Sequence, residues 1–113
     1  MVISLKENNV FRRLYHRGKS AGNRCLVIYC QRNRLGVNRV GLTVSTKLGH
    51  AVIRNRMRRR LREIVRLNEN RLLTGFDIVI VARSAAIEMD FAGLTRAFLS
   101  VADKLSLLKK EDQ

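Results

Sequence analysis

Seven arginines lie within the thirteen residues Arg54 to Arg66, in the run RNRMRRRLREIVR, with Glu63 as the only acid. Every basic position in the run is Arg and none is Lys. The guanidinium is a planar fork of donors that meets phosphate oxygens bidentately and stacks on bases, which an ammonium cannot do. Cations held this close repel one another unless a polyanion neutralises them. Solvated helix faces normally mix signs to gain i,i+4 support, and here only Glu63 offers any. The chemistry open to these residues is therefore the binding of nucleic-acid phosphate.

Aromatic residues form a second constellation. Phe11 and Tyr15 are four apart, one helical turn, and Tyr29 shares a strand face with Val27 and Cys25 by alternation. Such a face beside basic residues can stack unpaired bases. Equally, aromatics at this spacing can simply face a core. Catalytic sets are thin. The two histidines, His16 and His50, stand far apart among arginines, and Ser45, Thr46 and Ser84 have no paired base in any recognisable motif. No D-x-D, H-x-x-x-H or C-x-x-C spacing occurs. The expectation is no catalytic residue and no metal site on the protein.

The elements that must position these residues follow from periodicity. Asn8 to His16 reads as a helix capped by Asn8 or Asn9 and ended by Gly18, with Val10, Phe11, Leu14 and Tyr15 on one stripe. Cys25 to Cys30 and Arg39 to Ser45 read as strands in hairpin register about a polar turn, Asn33 to Asn38. After a loop from Lys47 to His50, a helix is predicted from Ala51 to Asn68 with Ile53, Met57, Leu61, Ile64 and Val65 inward. A wheel places Asn55, Arg59, Arg62 and Arg66 opposite that stripe, Arg54 and Arg58 on one flank and Arg56 on the other. Arg60 falls near the stripe and must snorkel. Asp77 to Ala82 is a buried central strand, Phe91 to Leu108 a last amphipathic helix, and residues 109–113 a frayed tail.

At 113 residues and 46% hydrophobic, the chain predicts a single domain over 1–113. Residues 1–66 hold 17 of the 23 Lys+Arg and two of the nine acids, a net charge of +15, while the remainder carries −1. The binding surface is expected in the first two thirds. Partners narrow to RNA, DNA or an anionic membrane, and no apolar run approaches the roughly 20 residues of a span. Cys25 and Cys30, five apart in one strand, are expected on opposite faces as reduced thiols of a cytoplasmic protein. The order α-β-β-α-β-α predicts an α+β sandwich, a small mixed sheet packed with helices.

The stretch from Val44 to Glu63, VSTKLGHAVIRNRMRRRLRE, resembles the signature of the bacterial ribonuclease P protein subunit. Upstream, Phe11, Tyr15, Gly18, Asn23, Arg24 and a strand ending in Tyr29 match the same family, and downstream so does the strand from Ile78 to Arg83. His50, where Asn or Lys is more usual, is a departure that touches only that loop. The resemblance implies a ribosomal-protein-S5-like fold with an unusual left-handed β-α-β crossover, against the general right-handed rule. It implies a 1:1 complex with ribonuclease P RNA, with no further protein cofactor. In that complex the RNA, with Mg²⁺ held mainly by it, removes the 5′ leader of precursor tRNA. Carried over by position, contact with the catalytic RNA falls to Lys47, Arg54, Asn55, Arg56, Arg58, Arg59 and Arg62. Leader contact falls to Phe11, Tyr15, Val27 and Tyr29. The alternative that charge alone leaves open is a general RNA-binding or ribosome-associated module.

Overall fold

The computed structural model describes residues 2–110. The chain runs β1 (Val2–Ser4), α1 (Asn8–Arg17), β2 (Lys19–Gly22), β3 (Leu26–Arg32), β4 (Asn38–Thr43), α2 (Ala51–Asn68), β5 (Phe76–Ala82) and α3 (Phe91–Lys104). The five strands form one mixed sheet in the order β1-β4-β5-β3-β2. Strand β5 pairs in parallel with β4 and antiparallel with β3.

Alternation along the central strands divides the core into two. Leu26, Ile28, Cys30, Val40, Ile78 and Ile80 point to the side covered by α2 and α3, where Met57, Leu61, Ile64, Leu94, Phe98 and Val101 meet them. Val79 points the other way and packs with Val10 and Leu14 of α1, flanked by Phe11, Tyr29 and Val81. The sheet is thus one layer between a helix pair and a single helix. On the α1 side the register lines up Tyr29, Val79 and Gly41 in one row and Val27, Val81 and Thr43 in the next.

This arrangement corrects several expectations. β3 and β4 do not form a hairpin, because β5 lies between them and pairs with both. The run from Ile78 to Ile80 is buried on both faces, so its two edges need partners as well. Two strands escape the periodicity reading. β1 has three residues, and β2, reading KSAG, has no β-branched or aromatic residue. Glu7, not Asn8 or Asn9, occupies the N-cap of α1, and it makes no side-chain cap bond. Cys25 precedes β3, where alternation no longer governs, and both cysteines are buried in the same cluster. Burial pushes the Cys30 thiol up, which keeps it protonated and inert.

At the C-terminal end, α3 stops at Lys104 rather than Leu108. Ser106 takes φ of 57°, and the chain turns back so that Leu107 is buried and Leu108 bridges Leu72. The Lys109 amide donates to the Arg71 carbonyl at 2.7 Å, so the expected frayed tail is tied down at its first residue. Residues 111–113 of that tail lie outside the described residues.

Candidate RNA-binding surfaces

Helix α2 spans the predicted Ala51 to Asn68, anchored by Met57, Leu61, Ile64 and Val65, all buried. Ile53, expected in that stripe, is 38% exposed and packs on Gly49, beyond reach of the core. The arginines then sort by what holds them. Arg54 donates from Nε to the Gly49 carbonyl at 3.2 Å, and Arg58 to Asn55 Oδ1 at 3.0 Å. Arg60 does not merely lift its head into water. It donates to the Met89 carbonyl at 2.6 Å, tying α2 to the segment before α3. Arg66 and Glu63 form an ion pair on the surface, which holds the Glu63 carboxyl below its usual range.

Arg56, Arg59 and Arg62 are exposed, and among the described residues none has a hydrogen bond or ion pair. Spaced by three, they form a row along the helix. Lys47 is exposed on the 3-10 turn Thr46–Leu48, which leads from β4 into α2. Its amide donates to Ser45 Oγ, which caps that turn. A groove of about 520 Å³ between β1 and α2 carries Lys6, Arg58, Arg62 and Arg66 on its rim, above Val40 and Val65. Lys6 was not legible as a member of this surface, since the β1 edge that brings it there was not.

On the opposite face of the sheet, α1 sets Phe11 directly over β4. A Cβ on Gly41 would stand 2.3 Å from Phe11 Cζ, so only glycine admits the ring here. Tyr15 meets Tyr29 edge-on, with centroids 5.0 Å apart and planes at 82°, and lies 6.4 Å from the Phe11 ring. Its hydroxyl is 2.7 Å from Thr43 Oγ1, which fixes the ring while leaving it 40% exposed. An open hollow of about 490 Å³ lies here, lined by Phe11, Tyr15, Arg12, Thr43 and Val44. Val27 and Val81, half-buried, continue this face in the row of Thr43.

Phe11, Tyr15, Val27 and Tyr29 therefore share one side of the sheet, as alternation predicts for the last two. Cys25, expected beside them, belongs to the other side. The arginine row is not part of this hollow; β4 and the turn bearing Lys47 connect the two surfaces. Thr43 and Val81 were missed. Thr43 follows Gly41 by two and could have been placed on its face, whereas Val81 needed the β5–β3 pairing.

Two acids, Asp77 and Asp90, are committed elsewhere. Asp77, 1% exposed, accepts two 2.7 Å bonds from Arg39 and one of 3.0 Å from Asn33, with Arg13 at 3.6 Å. Burial pushes its carboxyl up, but the Arg39 and Asn33 hydrogen bonds and the Arg39 and Arg13 charges prevail and hold it below the ordinary range. Asp90 caps α3 through the Gly93 amide at 2.7 Å. Among the described residues no three His, Cys, Asp or Glu side chains come together as metal ligands. No helix among them is long and apolar enough to cross a membrane.

A cationic helix on one face and a fixed aromatic hollow on the other define an α+β protein of the RNA-binding class. A family model described as Ribonuclease P matches residues 2–106. The ribonuclease P protein component of Thermoanaerobacter sp. (strain X514) is 42% identical over 106 residues, covering 94% of this chain and 91% of that protein. That of Natranaerobius thermophilus is 38% identical over 109 residues, covering 96% and 95%. Among solved structures, the Staphylococcus aureus RNase P protein superposes with a TM-score of 0.86 at 32% identity, over 94% of this chain and 97% of that one. The Thermotoga maritima protein gives 0.80 at 31%, over 86% and 92%. The chain belongs to the ribonuclease P protein family, the protein component of the ribonucleoprotein endoribonuclease that matures the 5′ ends of tRNA. Membership implies an RNA partner and an enzyme that depends on Mg²⁺.

Proposed function

We propose that this chain docks on ribonuclease P RNA through Lys47, Arg54, Asn55, Arg56, Arg58, Arg59 and Arg62, and offers the sheet face that carries Phe11, Tyr15, Val27 and Tyr29, with its open hollow, to the unpaired leader of precursor tRNA. The observation that carries this reading is the row of Arg56, Arg59 and Arg62, exposed and without partners among the described residues, on a helix otherwise pinned to the core. Such a row is unfavourable by itself and becomes favourable against phosphate, with release of counterions. On the other face, Tyr15 and Tyr29 give a leader base a rigid π surface that accepts any sequence. Mg²⁺ is assigned to the RNA, because among the described residues no three His, Cys, Asp or Glu side chains come together to hold it, and Asp77 and Asp90 are taken up by Arg39 and the α3 cap. In a 1:1 cytoplasmic complex, the protein lowers repulsion between two RNAs and discriminates substrate from product, since mature tRNA has no leader.

Tyr15→Ala and Tyr29→Ala in the reconstituted holoenzyme test the hollow. Stacking contributes about 1–3 kcal/mol per base, so precursor affinity is expected to fall about tenfold for each while mature tRNA affinity holds. Equal losses for both ligands would remove the leader from the hollow.

A further inference from the structure

We infer that Phe91 is a stacking platform for one unpaired base of the RNA on which α2 docks, with Arg56 and Arg59 taking the phosphates beside it. This rests on the docking reading of α2 and adds a base contact to a surface so far described only by charge. Phe91 opens α3 and is 38% exposed, whereas Phe98 on the same helix is 1% exposed. It shares a shallow concavity of about 400 Å³ with Arg56, Arg59, Arg60 and Glu63.

Two of those charged groups are already occupied. Arg60 donates to the Met89 carbonyl, and Glu63 is paired with Arg66. What remains is an aromatic ring flanked by two guanidiniums that have no partner among the described residues. Among the described residues no cation lies over the Phe91 ring, although Arg32 stands 5.6 Å from the centroid of Phe76. Phe91 lines the concavity and keeps 38% of its surface exposed there, which leaves part of the side chain open to a ligand.

The backbone beneath it is held from both sides. The Arg60 bond fixes Met89, the Asp90 cap fixes the first turn, and the Thr95 hydroxyl donates to the Phe91 carbonyl at 2.9 Å. Gly93 lies against Met89, where a Cβ would come within 2.7 Å of the methionine methyl. A platform on a capped helix end loses little freedom when a base settles on it. An acidic peptide would satisfy the arginines and leave the ring unused. A nucleotide brings both the anion and the flat π surface.

The chain has no tryptophan, so Phe91→Trp installs a single fluorophore at the proposed contact. Titration with ribonuclease P RNA, followed in parallel by gel shift, is expected to quench that emission and shield it from acrylamide at the concentration where binding saturates. Affinity should stay near that of the unaltered chain for Trp and fall about tenfold for Phe91→Ala. Phe91→Leu should resemble Ala, because it retains apolar cover without a π face. Binding of the RNA with unchanged emission and acrylamide access, or full affinity for the Leu variant, would overturn the platform. If the unaltered chain does not bind the RNA at all, the docking reading of α2 fails first.

Discussion

Replacing Arg56, Arg59 and Arg62 together with alanine is expected to weaken binding to ribonuclease P RNA roughly a hundredfold, at about 1 kcal/mol for each charge-assisted phosphate interaction. The slope of log affinity against log salt should fall by about three, one unit for each phosphate no longer neutralised. Folding should be nearly unaffected, because none of the three has an intrachain partner among the described residues. Relief of their mutual repulsion favours the helix if anything. Arg60→Ala provides the contrast, since it removes the bond to Met89 and should register in thermal stability. Filter binding over a series of salt concentrations separates the cases. An unchanged slope for the triple variant would mean that the row is solvated rather than docked.

Asp77→Ala is expected to destabilise the fold by about 3 kcal/mol, by leaving Arg39 without its bidentate partner. In a chain of this size that corresponds to a melting temperature lower by about 10 °C. Asp77→Asn should be milder, since it keeps an acceptor for Arg39 while losing the charge. The sign with pH follows from the depressed carboxyl. Its stabilising contribution is complete above the unfolded value of about 3.9 and is lost as pH falls through the lower folded value. Thermal melts of the unaltered chain should therefore decline steeply below about pH 4, and the Asp77→Ala variant should show a shallower decline.

Local signals were legible where one face of an element is decided by its own residues. The bounds of α2 could be read because Met57, Leu61, Ile64 and Val65 set the stripe and the charge run fills the rest. Phe11, Tyr15, Val27 and Tyr29 could be brought to one side by periodicity and the family pattern. Sheet order could not, because inserting β5 between β3 and β4 is decided by burial on both its faces, a property of the assembled core. Val81 beside Val27, Lys6 beside Arg62, and Phe91 beside Arg56 are consequences of that assembly. The return of Leu107 and Leu108 onto Leu72 likewise overrides a helical stripe that continues on paper past Lys104.

On the reading proposed above, this chain lends binding to an RNA that performs the cleavage. Precursor tRNA cleavage at low Mg²⁺ tests that division of labour, with purified protein alone, ribonuclease P RNA alone, and the two combined. Expected are no cleavage by the protein, little by the RNA, and efficient leader removal by the pair. Cleavage by the protein alone, or no stimulation of the RNA, would refute it.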